Sequence, residues 1–175
     1  MLKFFTVTLV ALLVVGCANG QVNTAPQDAP SVTGIVLDTA ELAQGGPMAL
    51  APFKAGPQAE ANEELDRLSM MILKGIKDSL DNQRTSLRVS EEDKQPRMVL
   101  EGYVQEFSRT TRLSRVLWRP DRDSIVLVGE IWLSSSGKRL LNFVARKKFN
   151  PKKERLMEVV YHMGRDIGDF IAAKA

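Results

Sequence analysis

The stretch from Ser124 to Phe149, SIVLVGEIWLSSSGKRLLNFVARKKF, decides the architecture. It reads as two strands, Ser124–Ser134 and Arg139–Phe149, joined by the hairpin signal Ser135-Ser136-Gly137-Lys138. In the second strand Leu141, Phe143, Ala145 and Phe149 fall on one face, and Asn142, Arg146 and Lys148 on the other. Such a strand packs one side on a core and turns the other to water. The first strand is apolar on both faces. Working outward, Met98–Phe107 (MVLEGYVQEF) is a further strand, with Gly102 as a bulge or close-packing point. Thr85–Val89 reads as a short strand and Glu91–Pro96 as a charged turn.

Two helical patterns flank these strands. From Pro57 to Asn82, Leu65, Leu68, Ile72, Ile76 and Leu80 recur at spacings of three and four. Pro57 suits a first helical turn, and Glu60, Glu63 and Glu64 suit the positive end of the helix dipole. Gly75 inside this helix weakens it or allows a close approach to the sheet. After Pro151, Leu156, Val159, Val160, Met163, Ile167, Phe170 and Ile171 form a second apolar stripe. Upstream, Gly45-Gly46-Pro47 breaks the chain, and Met48–Phe53 reads as a strand that Pro52 confines to an edge or an end. Val32–Leu37 is a short edge strand. The order predicts an α+β fold: a mainly antiparallel four- to five-stranded sheet with two long amphipathic helices on one face. The expected domain is 46–175, preceded by a tether over 17–45 that carries the strand at 32–37.

The N-terminus reads as an address. Met1-Leu2-Lys3 is a short positive region, and Phe4–Val15 is an apolar run interrupted only by Thr6 and Thr8. A bilayer core of about 30 Å needs about 20 apolar residues, so this run is too short to span. It fits the apolar region of a secretory signal peptide over residues 1–16. Val14-Val15-Gly16-Cys17 follows and resembles the lipobox of bacterial lipoproteins. The alternative is an ordinary signal peptide with an incidental cysteine. The resemblance implies a diacylglyceryl thioether on Cys17, cleavage between Gly16 and Cys17, and fatty acylation (palmitate) of the new amino group. One acyl chain binds a membrane marginally, whereas two or more hold firmly. In enteric lipoprotein sorting an aspartate after the cysteine retains the protein at the inner membrane. Ala18 therefore implies the outer membrane, facing the periplasm, for a Gram-negative source. Residues 18–30 are polar, proline-containing and almost uncharged, and reach roughly 40 Å when extended.

Composition removes several classes. The chain has 175 residues, with 24 Lys and Arg against 21 Asp and Glu, a net charge of +3. A chain-wide phosphate binder carries a larger imbalance, so nucleic acid is not an expected partner. The single cysteine, Cys17, excludes an internal disulfide.

MALAPFKAG (48–56) before a long helix, VLEGYVQEF (99–107), the SSGK hairpin and a terminal helix together resemble a family of bacterial lipoproteins known mainly as a domain of unknown function. Its layout is similar to the curli-secretion lipoprotein, the amino-terminal domain of the Tol-system periplasmic protein, and penicillin-binding-protein activator lipoproteins. The resemblance covers roughly residues 46–174. Such domains often carry a glycine-rich segment after the LEG-type strand, where this chain has Arg109 to Arg122 without glycine.

That segment is the candidate anion or partner surface. Arg109, Arg112, Arg115, Arg119 and Arg122 lie among Leu113, Val116, Leu117 and Trp118, and Asp121 is the only acid between them. Arginine offers paired donors to phosphate and carboxylate, and Trp118 adds an apolar anchor. The competing reading is a solvated loop with local ion pairs. Anionic head groups, peptidoglycan carboxylates or an acidic protein are the envelope ligands this chemistry suits.

Catalytic and metal sets are sparse. Gly137-Lys138 is followed by Arg139, and Trp132 stands where a phosphate loop needs glycine. His162, the only histidine, has Glu158 and Asp166 one turn away on either side, and reads as a surface or half-buried residue. Asp121 and Asp123 flank Arg122 and read as a charged loop tip before a divalent-ion site. No cofactor beyond the lipid on Cys17 and no enzymatic activity is expected. The function expected is a non-enzymatic binding or accessory module for an envelope component. The alternatives are an oligomeric or secretion-complex subunit and an envelope-polymer hydrolase.

Overall fold

The computed structural model describes residues 31–59, 61–83, 85–90, 95–108 and 123–175. Cys17, the tether to residue 30 and the Arg109–Arg122 segment lie outside them. The elements run β1 (Val32–Val36), α1 (Thr39–Ala43), β2 (Gly46–Leu50), β3 (Lys54–Gln58), α2 (Glu63–Asn82), β4 (Leu87–Val89), β5 (Met98–Ser108), β6 (Asp123–Leu133), β7 (Arg139–Phe149) and α3 (Leu156–Ala172).

The hairpin forms as its turn chemistry dictates. Gly137 adopts a φ of 66°, a region that suits glycine, while Leu133 N–H donates to Lys138 O at 2.9 Å and Gly137 N–H to Leu133 O at 2.8 Å. β5, β6 and β7 are antiparallel neighbours, and β1 joins β7 antiparallel. On the other side of β5 the sheet changes character. β2 and β3 both run parallel to β5 in succession, and β4 runs parallel to β2. The strand order is β1-β7-β6-β5-β2-β4, with β3 against β5 beyond β2.

The α+β class therefore holds, but among the described residues the sheet has seven strands, not four or five, and is mixed: three of its strand pairings are antiparallel and three are parallel. The cause is α2. It carries the chain back along its own length, so the strands after it run in the direction of those before it. The expected domain start at residue 46 lies inside this sheet: β1 pairs with β7, and α1 packs beside it.

The helix expected from Pro57 begins later. Pro57 is in β3, an edge strand that tolerates a residue without an N–H. Asn62 then caps α2, its side-chain oxygen accepting from Leu65 N–H at 2.9 Å. Between β2 and β3, Ala51 N–H still reaches Leu100 O at 2.8 Å, and Phe53 N–H is taken by Ser69 Oγ at 2.7 Å. That bond satisfies a buried donor and seats the Phe53 ring in the core.

Both long helices cover one face of the sheet. Their seam is built on small residues. A Cβ at Gly75 would overlap the Tyr161 carbonyl, and one at Gly164 would overlap that of Ile72, so the two backbones touch. Gly75 thus serves a helix contact rather than a sheet contact. Polar pins flank the seam. Ser79 Oγ donates to Asp169 at 2.5 Å, Gln83 Nε2 to the same carboxylate at 2.6 Å, and Tyr161 Oη to Asp78 at 2.9 Å. The bond to Asp78 raises the Tyr161 phenol above its ordinary pKa, with desolvation adding to it.

Under the helices lies one apolar core. Met98, Leu100, Val104, Leu127, Ile131, Leu141, Phe143 and Ala145 point into it from the central strands. Leu141, Phe143, Ala145 and Phe149 are buried while Asn142, Arg146 and Lys148 are exposed, as the alternation predicts. One cross-strand row is nearly bare: Gly34, Phe143, Gly129 and Gly102 stand in register on β1, β7, β6 and β5. The Phe143 ring fills the space over Gly129, and Phe53 lies over Gly102. Gly102 is therefore a close-packing point, and any side chain there would enter the neighbouring strand.

Candidate functional site

The helices leave the opposite face of the sheet open among the described residues. Two rows cross it in register. Lys54, Tyr103, Val128, Val144 and Thr33 form one, and Glu101, Glu130, Asn142 and Ile35 the other. A trough of about 640 Å³ lies where they meet β3, lined among others by Lys54, Glu101, Tyr103, Glu130, Arg139 and Asn142. Its floor passes over the backbone of Gly102 and Gly129. A shallower depression of about 410 Å³ continues to Thr33 and Ile35 on β1 and shares Val128 and Asn142 with it. Tyr103 rests against Gly56 of β3 and stays 39% exposed, while Ile35 is 64% exposed.

The charges in the trough are uneven. Glu101 and Glu130 stand directly opposite each other, a cross-strand like-charge pair that costs stability. Arg139 compensates one of them, its Nε lying 2.9 Å from Glu130. Glu101 and Lys54 make no ion pair among the described residues. Asn142 Oδ1 accepts from Ile35 N–H at 3.3 Å and ties the edge strand to the trough wall. Next to this row, the buried Nε1 of Trp132 has no acceptor among the described residues, an arrangement that costs about 1–3 kcal/mol.

Opposed carboxylates are raw material for acid–base chemistry. Here one is engaged by arginine, and Tyr103 supplies the only hydroxyl in the lining. The surface offers aromatic and aliphatic contact beside one free carboxylate and one free ammonium. That combination suits recognition of a ligand with mixed polarity. Among the described residues, no three His, Cys, Asp or Glu side chains converge as a metal set, and no helix is long and apolar enough to cross a membrane.

The residues singled out in the sequence fall elsewhere. Cys17, with Gly16, and Arg109, Arg112, Arg115, Trp118, Arg119 and Arg122 lie outside the described residues, as does Asp121. Asp123 is buried as the first residue of β6 and so is not part of a loop tip. His162 is exposed on α3, its ring edge-on to Tyr161 at 5.6 Å. The trough residues escaped the sequence reading because they come from separate strands. The one local signal was the interruption of apolar strands by single charges, Glu101 in LEGYV and Glu130 in VGEIW.

No family model matches the chain, and no curated protein matches it in sequence. Solved structures do share its fold. A PelC dodecamer from Paraburkholderia phytofirmans is 14% identical, with a TM-score of 0.55 over 81% of this chain and 97% of that one. A Xanthomonas campestris protein of the DUF330 family is 10% identical, with a TM-score of 0.50 over 81% and 93%. At these identities the likeness defines the fold alone.

Proposed function

We propose that this chain is a lipid-anchored envelope protein whose α+β domain is a non-enzymatic binding or accessory module. Residues 1–17 support the anchor, and Ala18 supports the outer membrane, facing the periplasm, in a Gram-negative source. The observation that carries the binding role is the uncovered sheet face, with its trough, its exposed Tyr103 and Ile35, and its unpaired Glu101 and Lys54. A surface of this kind suits another envelope protein or polymer, with no cofactor beyond the lipid and no nucleic acid.

A photo-crosslinker at Tyr103, and separately at Arg115 or Trp118, tests this in cells. Capture of one specific envelope component is expected. Recovery of only random abundant proteins counts against the reading. Cys17→Ser should abolish lipid labelling and membrane retention; persistence of both removes the anchor.

A second reading is an oligomeric subunit. The fold it shares with a PelC dodecamer favours it, and so does β1. That edge strand holds no charge and no proline, the usual guards against strand pairing. Native mass measurement of the detergent-solubilised chain discriminates: a clean monomer at high concentration sinks this reading.

A further inference from the structure

The tether enters the domain at Ser31, whose carbonyl accepts from Arg146 N–H at 2.7 Å. This fixes which end of the sheet lies nearest the anchor. At that end β7 finishes and the chain turns toward α3, through RKKFNPKKER. Arg146, Lys147, Lys148, Lys152, Lys153 and Arg155 are basic, and Glu154 is the only acid in that run. All of the six but Lys147 are exposed.

The neighbouring acids are mostly engaged. Glu154 accepts from Asn150 N–H at 2.7 Å, and Asp166 accepts from Ser31 Oγ at 2.9 Å and pairs with Lys147 at 3.5 Å. Glu106 accepts from Ser124 Oγ at 3.2 Å, and Asp123 is buried. Glu158 faces the same depression as Lys153, Arg155 and His162. Arg146, Lys148, Lys153 and Arg155 make no ion pair among the described residues.

We infer that this basic end of the sheet is a docking surface for anionic lipid head groups. The inference rests on the anchored reading for its orientation. The chain between Cys17 and Ser31 is short, so the end where it enters is held within roughly 45 Å of the bilayer. Unpaired cations gathered there meet the negative surface potential of a membrane, which attracts each Lys or Arg within a Debye length and fades with salt. Lipid and cations together would fix the domain's tilt, which a flexible tether alone leaves free.

The full chain, acylated in cells and reconstituted into vesicles, tests the inference. Vesicles of phosphatidylcholine alone are compared with vesicles that also contain phosphatidylglycerol. Amine-reactive labelling is read by mass spectrometry at Lys148 and Lys153, against Lys138 in the hairpin at the far end. Several-fold slower labelling at Lys148 and Lys153, only with the anionic lipid and reversed by high salt, is expected. Equal labelling in both vesicles overturns the proposal. Protection that needs added peptidoglycan fragments also overturns it, in favour of the polymer.

A second arm uses the Cys17→Ser chain, which lacks the lipid. The variant Arg146→Gln/Lys148→Gln/Lys153→Gln/Arg155→Gln in that background should co-sediment with anionic vesicles about tenfold more weakly or worse. Equal sedimentation overturns the proposal. An unmodified Cys17 in the intact mass would remove the anchored reading alone, and this arm would still decide the lipid contact.

Discussion

The two ends of the sheet both carry cations and use them differently. At the hairpin end Arg97, Lys138 and Arg139 are spent on the fold. Lys138 pairs with Asp38, which also caps α1 by accepting from Glu41 N–H at 3.0 Å. Arg97 reaches the Gly45 carbonyl, the Glu41 carboxylate at 2.6 Å and the Gln44 side chain at 2.8 Å. Arg139 holds Glu130. At the opposite end, beside Ser31, Arg146, Lys148, Lys153 and Arg155 are exposed with no such partners among the described residues. The contrast separates charge that builds a structure from charge that is surplus to it.

The comparison breaks first at Arg97. Arg97→Ala removes several hydrogen bonds from a partly covered site and strands the Gly45 carbonyl. A loss of about 1–3 kcal/mol is expected in denaturant unfolding. A smaller effect, confined to α1, is expected for Asp38→Ala. Faster amide exchange across Thr39–Ala43, with the rest of the sheet unchanged, would report it.

The same contact gives the hairpin end a pH dependence. The hydrogen bond from Lys138, helped by Glu41 N–H, lowers the Asp38 carboxyl below its ordinary value, and Asp38 raises the Lys138 ammonium. The Asp38 contribution is present above the ordinary carboxylate range and is lost as pH falls through the lowered value. The Lys138 contribution is present below the ordinary lysine range and is lost as pH rises through the raised value. Lys138 is exposed and Asp38 only half-buried, so solvent keeps the effect small. Protection of the α1 amides, taken relative to their intrinsic exchange rates at each pH, should fall at both extremes of pH in the parent chain and show no such dependence in Asp38→Ala.

Smallest of all are substitutions at the Ser31 end. Lys148→Gln or Lys153→Gln should change unfolding stability by less than about 0.5 kcal/mol. A large loss there would erase the distinction between the two ends.

The sequence exposed what repeats locally and hid what pairs at a distance. β5, β6 and β7 were legible because alternation and a glycine turn lie within each stretch. The stripes of α2 and α3 were legible for the same reason. β3 was not: Lys54–Gln58 has no alternation, carries Gly56 and Pro57, and is a strand only because β5 offers it a ladder. The direction of β2 and β4 was hidden as well, since parallel pairing follows from where α2 returns the chain. The basic run after Phe143 was visible, but alternation placed Arg146 and Lys148 only on a face turned to water. Its position beside Ser31 depends on β1 pairing with β7, which no local pattern carries.

The bare row of Gly34, Gly129 and Gly102 has a consequence for how the open face can change. The trough floor is backbone, and what sits behind that backbone is the Phe143 ring. The recess is thus propped from the far side of the sheet by a residue that no ligand can touch. Its depth is a property of the interior, and drift in the core can reshape the open face while every lining side chain stays the same.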